Sequence, residues 1–362
     1  MSSRIDTEVV LKVLRRGLKN RDAGLVGILA IMILVLTATV GTDQFLTGTN
    51  VRTILFAVSI IAVVAIGQAF VLLTRNIDLS VGATVALSAY LVAQVSVDHP
   101  GLGVFPLALM AVGLGMAAGL VNGVLVAVAG LPSIIVTIGT LAVFRGVLFI
   151  VSNGAYIQAR DEIVKFGNGK ALGLPNIAWL ALGLTIVGAA VLRWAPWGRD
   201  LYAVGSDPVA ARILSIPVGA RVCGAFVVCG ALSGLGGFLW SALYGSASND
   251  SAIGLEFAVI TAAVIGGVSV FGGTGTIAGT ALGALLVGTV NNGLVLLNLS
   301  PGWQTAFQGL AIVVVVTVDA LVVRAVLRRV IAERRTARAA KVVGDTIPTG
   351  PALMAGPSDG ES

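Results

Sequence analysis

Residues 51–73 read VRTILFAVSIIAVVAIGQAFVLL, residues 74–80 read TRNIDLS, and the chain is apolar again from Leu79 to Val97. Each apolar run is long enough to cross a bilayer, for which roughly 17–25 residues suffice. Two such runs joined by so short a polar segment read as consecutive transmembrane helices. A charged pair at such a junction is often a simple turn, with Asp78 or Ser80 capping the next helix. That explains the acid and the hydroxyl, but not why a polar cluster falls between spans joined so tightly.

The whole chain repeats this pattern. It is 57% hydrophobic and 11% charged over 362 residues, with a mean hydropathy of +0.99. A soluble domain carries about 25% charged residues, so this surface must face hydrocarbon. The 47 glycines suit lipid, where small residues let helix backbones approach closely. Six Lys and Arg residues fall in residues 1–23 and seven in 324–341, flanking the apolar bulk. They read as cytoplasmic anchors beside an anionic leaflet rather than as a nucleic-acid surface. Cys223 and Cys229 lie in one apolar run, which points to neither a disulfide nor a metal site. The charged leader is too long for a cleavable signal peptide, and no small-residue cleavage site follows it.

The fold expected is all-α and polytopic, with about ten transmembrane helices. The spans are Gly24–Val40, Val51–Leu73, Leu79–Val97, Val104–Val128 and Ser133–Val151, then Ile177–Leu192, Val222–Leu243, Phe257–Phe271, Ile277–Leu297 and Thr305–Val323. The Phe257–Phe271 run is short, and the Gly-rich segment after it reads as a candidate broken or re-entrant stretch. The segmentation is a basic cytoplasmic segment (1–23), a transmembrane domain (24–323), a basic cytoplasmic anchor (324–342) and a disordered tail (343–362). An even count puts both basic termini and the arginines of Arg193–Arg221 in the cytoplasm, as the positive-inside rule requires.

An internal repeat is visible. Val121-Asn122-Gly123-Val124-Leu125 in the fourth span precedes Pro132, much as Asn291-Asn292-Gly293-Leu294-Val295 in the ninth precedes Pro301. The third span is entered through Asp78 and the eighth through Glu256. Spans two to five then align with spans seven to ten. Partners five spans apart run in opposite directions, which is the mark of an inverted repeat.

Asn76-Ile77-Asp78-Leu79-Ser80-Val81-Gly82 closely resembles the signature of permease subunits from ribose-, xylose- and rhamnose-type ATP-binding-cassette (ABC) importers. The likeness continues through Gly119-Leu120-Val121-Asn122-Gly123, through Pro132–Thr140 with Arg145-Gly146, and through Gly254-Leu255-Glu256. Ile265-Gly266-Gly267-Val268-Ser269-Val270-Phe271-Gly272-Gly273-Thr274-Gly275 and Asn291-Asn292-Gly293-Leu294 complete it, over roughly residues 50–325. Many sugar permeases have small residues where this chain has Thr74-Arg75-Asn76. That variant is more similar to the branch serving rhamnose and autoinducer 2, and Gly154–Gln158 is compatible with it.

The resemblance implies three kinds of partner: two ABC ATPase subunits inside, a solute-binding protein outside, and a second permease subunit, alike or different. It implies a multi-pass plasma-membrane location with lipid as the surroundings. Similar permeases dock their ATPase on the loop Trp197–Ala220, which here reads as a short amphipathic helix between Gly and Pro breaks. The docking candidates are Gly198, Arg199, Gly205, Ala210, Ala211 and Ile216, the small residues letting a helix sit in a partner's groove.

The chain itself carries no catalytic group, metal site or cofactor in this reading; ATP and Mg belong to the partner ATPase. Leu232-Ser233-Gly234 lies inside an apolar span, Gly167-Asn168-Gly169-Lys170 lacks the spacing of a phosphate loop, and Gly113, Gly115 and Gly119 read as helix packing. His99 falls in an outer turn with no partner for catalysis. Arg145 reads as either a functional charge or a structural one. Asp250 and Glu256 are candidates for receiving a binding protein, though capping explains Glu256 equally well. A neutral sugar would need amides and hydroxyls such as Asn122, Thr137, Asn291 and Asn292 along its path. Branched-chain amino acids as cargo, and an ion-coupled secondary carrier, are the alternatives; the Asn-Ile-Asp-Leu-Ser block disfavours the first, and scarce midspan acids disfavour the second.

Overall fold

A computed structural model of the chain describes residues 21–300, 302–314, 316, 317 and 320. Thirteen named helices follow one another among these residues. They are α1 (Arg21–Val40), α2 (Thr42–Phe45), α3 (Gly48–Leu73), α4 (Val81–Asp98), α5 (Val104–Ala127), α6 (Ser133–Ser152) and α7 (Asp161–Asn168). Then come α8 (Asn176–Trp194), α9 (Pro196–Ser206), α10 (Pro208–Ile213), α11 (Val218–Tyr244), α12 (Leu255–Ile265) and α13 (Ile277–Leu296), and residues 302–314 are helical as well. Four two-residue strands, β1 (Ile157–Gln158), β2 (Lys170–Ala171), β3 (Leu174–Pro175) and β4 (Ser246–Ala247), only staple loops: β1 pairs antiparallel with β4, and β2 with β3.

Among the described residues, eight helices are long and apolar enough to cross a membrane. The expected tenth span, Thr305–Val323, lies partly outside the described residues, as do residues 1–20 and 324–362 of the proposed basic segments and tail. Residues 317–362 form a unit of their own, of which Thr317 and Ala320 are described.

The buried centre is α3, whose residues Ser59–Leu73 are all shielded, with α11 beside it. The outer helices present lipid-facing side chains such as Ile31, Leu34, Phe105, Ile135, Ile150 and Ile186. α5 packs along α11 at backbone distance. A β-carbon on Gly115 would overlap the Gly230 carbonyl, one on Gly119 the Phe226 carbonyl, and one on Gly234 the Ala111 carbonyl. Ala111, Gly115, Gly119 and Gly123 fall four apart on one face, the small-residue stripe that membrane helices use in close crossings. Gly115 and Gly119 are thus packing residues; Gly113 faces open space.

The contact pattern has two matching halves. α11 packs on α5 and α4; α3, its partner in the repeat, packs on α13 and α12. α4 packs on α5 as α12 packs on α13, and α3 and α11 lie against each other where the halves meet.

The eighth span differs from an unbroken helix over Phe257–Phe271. α12 has 11 residues, about 16 Å at 1.5 Å per residue, roughly half the hydrocarbon thickness. Gly266, pressed against Gly279 of α13, is its last right-handed position, and the chain then runs irregularly through Gly267, Gly272, Gly273 and Gly275, all at positive φ. The segment Trp197–Ala220, expected as one short amphipathic helix, differs too: α9 and α10 are separate, split where Asp207 caps α10 by accepting from the N–H groups of Val209 and Ala210.

Candidate functional site

The segment between α3 and α4 is folded back into the bundle rather than lying outside it. With the Gln68 amide oriented to satisfy both partners, its nitrogen donates to the Asp78 carbonyl (3.1 Å) and its oxygen accepts from the Asp78 N–H (3.2 Å). Gln68 lies five residues before the end of α3, so Asp78 sits about 7.5 Å back along that helix. There the Asp78 carboxylate accepts from the Ser80 N–H (2.9 Å) and hydroxyl (2.7 Å). Asn122 of α5 donates to the Ser80 hydroxyl (2.8 Å) and, at 3.5 Å, to Asp78; Thr140 of α6 donates to the Asn122 oxygen (2.7 Å). Thr137 and Ser133 bind the Ile77 carbonyl and N–H. Asp78, Ser80 and Asn122 therefore form one buried network that ties the start of α4 to α5 and α6. Asn76 turns inward on Thr74. Asn122 and Thr137, named above as path candidates, are fully buried in this network and border neither of the cavities described below.

α12 starts in the same way, after residues 245–254 fold inward, and the two helix starts meet. A β-carbon on Gly82 would overlap Glu256 Oε2 and lie 3.0 Å from the Ala252 carbonyl. Glu256 Oε1 accepts from the Gly254 N–H (3.2 Å), the capping role foreseen for it, while its Oε2 is buried without a partner. Arg145 of α6 donates to the carbonyls of Asn249 and Ser251, both at 2.7 Å, and so holds the segment leading into α12. The structural reading of Arg145 is the one these bonds describe. Gly123 packs on Cys223, and Cys229, like Cys223 a free thiol, packs on Gly67. The His99 carbonyl accepts from Arg160, which also gathers the carbonyls of Ser96, Pro100 and Leu102.

At the arginine-bearing end, α9 is stapled to the core. Arg75, which ends α3 with φ of 65°, donates to the carbonyls of Gly205 and Ser206. Tyr202 donates to the Gly275 carbonyl (2.7 Å), and Asp200 pairs with Arg221 of α11 (2.8 Å). Burial pushes the Tyr202 phenol up from its ordinary value, so it stays a donor. The Gly273 N–H donates to the Leu73 carbonyl (3.0 Å), and β-carbons on Gly272 and Gly273 would run into Arg75 and Ser206. Of the docking candidates, Gly198 and Gly205 are buried against α8 and α3, Ala211 is buried, and Ile216 packs on the core. Arg199 and Ala210 are exposed. The exposed apolar side chains here are Val209, Ile213 and Leu214, which small-residue reasoning passed over.

Two of the cavities on the bundle are lined by described residues, several of them named above. One, about 520 Å³, lies beside Arg75, Asn76, Ser133 and Arg212. The other, about 380 Å³, opens between α3, α11, α12, α13 and the 302–314 helix. It contains Asn291 and Asn292, which sequence placed on the path, together with Trp240, Tyr244, Gln304 and Gln308, which it did not. The spacing of four between Trp240 and Tyr244, and between Gln304 and Gln308, was the available signal, since such pairs share a helix face.

The family model described as branched-chain amino acid transport system / permease component matches residues 50–316. Three curated relatives are each described as an autoinducer 2 import system permease protein LsrC. The one from Photorhabdus laumondii is 33% identical over 301 residues, covering 83% of this chain and 89% of its own. That from Enterobacter sp. is 35% identical over 312 residues (86% and 90%), and that from Klebsiella pneumoniae 35% over 313 residues (86% and 90%). No solved structure matches the chain.

Proposed function

The chain belongs to the family of branched-chain amino acid transport system permease components, and from that premise we propose that it is the membrane subunit of a sugar-type ABC importer whose cargo is autoinducer 2. Of the two cargoes favoured by the Thr74-Arg75-Asn76 variant, the three relatives described above carry autoinducer 2 in their names and none carries rhamnose. The branched-chain amino acid alternative rests on the family's descriptive name alone.

The observation that carries a driven mechanism is the Arg75 clamp. ATPase subunits engaging α9 and α10 would move a unit that Arg75 fastens to the root of the 74–80 segment and Tyr202 fastens to the segment after α12. The first of these segments leads into α4 and the second follows the short helix α12. A push on α9 therefore reaches both halves of the repeat, the rocking by which inverted-repeat carriers alternate access. The chain's own residues supply the path, and energy comes from the partner.

Reconstitution tests this. Liposomes holding this chain with its ATPase, a second permease subunit and the binding protein should take up autoinducer 2 only when ATP is supplied, with an uncoupler making no difference. Uptake by this chain alone, abolished by an uncoupler, would establish the ion-coupled carrier instead.

A further inference from the structure

We infer that the cavity between α3, α11, α12, α13 and the 302–314 helix is a binding site for a neutral, polyhydroxylated small molecule, with Trp240 and Tyr244 as its platform and Asn291, Asn292 and Gln308 as its hydroxyl partners. The inference rests on the importer reading above and gives that importer the residues that select its cargo.

The cavity has the volume of a small-ligand site, about 380 Å³. Its chemistry is one-sided in a useful way: no charged side chain is among those that line it. A zwitterionic amino acid would find no countercharge for its ammonium or its carboxylate among these side chains. Hydroxyl groups ask for something else, namely groups that both donate and accept, and each side-chain amide offers both.

The amides are positioned rather than free. Asn292 donates to Asn50 (2.8 Å), which holds its amide while its oxygen stays buried without a donor. The amide nitrogen keeps a second N–H for a ligand hydroxyl. Gln308 reaches Asn291 at 3.4 Å, a long bond that a hydroxyl between the two would replace. Trp240 and Tyr244 lie with ring centroids 4.4 Å apart and planes at 45°. Their faces offer an apolar surface to the C–H side of a ring-shaped polyol, and the tyrosine hydroxyl offers a polar tip. An apolar floor of Ile60, Ile61 and Ala258 completes the shape.

The test uses the full importer in liposomes and measures initial uptake of autoinducer 2, D-ribose and L-leucine. Trp240→Ala and Asn291→Leu should each raise the KM for the imported polyol at least tenfold, while Trp240→Phe, which keeps a ring, stays within threefold of wild type. Co-purification of the ATPase subunit shows that the variants assemble. If the wild-type importer moves autoinducer 2 and both variants match its KM, the cavity is not the site, and the importer reading stands. If the wild-type importer moves only leucine, the cargo reading and this inference both fall. If either variant does not assemble, Trp240 fluorescence decides: in a chain with the other tryptophans replaced by Phe, autoinducer 2 should shift the emission saturably, and an unchanged spectrum overturns the proposal.

Discussion

Gly82 lies directly against the Glu256 carboxylate, with the starts of α4 and α12 in contact through this pair. Nothing larger than hydrogen fits at Gly82 while Glu256 Oε2 and the Ala252 carbonyl keep their places. Gly82→Ala should therefore destabilise the folded chain by about 1–3 kcal/mol, the usual range for overpacking, read as a lower midpoint of thermal unfolding in detergent. Glu256→Ala in the same chain should restore most of the loss, because the closest obstacle is the end of a flexible side chain. Independent, additive effects of the two substitutions would show that the contact is not what constrains Gly82.

Asn122 joins three elements through one side chain. Asn122→Leu removes the bonds to the Ser80 hydroxyl, to Asp78 and from Thr140, while Ser80 still donates to Asp78 and Thr140 to the Thr137 carbonyl, and each lost bond costs about 0.5–1.5 kcal/mol. Thr140→Val removes only the outermost member of the chain of bonds. The expected order of unfolding midpoints is wild type, then Thr140→Val, then Asn122→Leu, and a reversal would contradict the network.

The spans were legible because apolar runs of Val51–Leu73 type have no other stable environment than lipid. The break in the eighth span was legible too, since Phe257–Phe271 is short and ends in glycines. What composition could not convey is depth. Asp78 and Glu256 sit at the starts of helices that begin inside the bundle, and only the fold-back onto Gln68 and Arg145 puts them there. The reason for Gly82 lies in a residue far along the chain, and a single sequence does not say which two will touch. The cavity was half legible: Asn291 and Asn292 stood out as amides in an apolar run, whereas Trp240 and Tyr244 look like the aromatic belt of any membrane helix end. Their convergence with Gln308 is a property of three segments meeting, not of any one of them.

Arg75 holds α9 through two charge-assisted bonds to backbone carbonyls, a geometry that uses the fork of the guanidinium. Bonds of this kind contribute about 1.5–3 kcal/mol each. Arg75→Lys keeps the charge but cannot span both acceptors, and Arg75→Ala loses both. The expected phenotype is uncoupling: the assembled importer still hydrolyses ATP, while uptake per ATP falls severalfold for Lys and further for Ala. Equal loss of hydrolysis and uptake would mean that Arg75 serves assembly rather than transmission.

The docking surface can be separated from the packing that supports it, because α10 has two unlike faces. Ala211 is buried, so Ala211→Glu forces a charge into the core and should lower stability without informing on partners. Val209, Ile213 and Leu214 are exposed side chains of no evident use to this chain alone. Ile213→Glu with Leu214→Glu should leave the unfolding midpoint within about 0.5 kcal/mol of wild type, as surface substitutions do. The same pair should abolish co-purification of the ATPase subunit, since a charge at the centre of an apolar contact is not accommodated. Ala210→Glu, at the edge of that face, should weaken the association less. If the ATPase is retained by the Ile213/Leu214 variant, the docking contact lies elsewhere, and Arg199 on α9 becomes the next residue to replace.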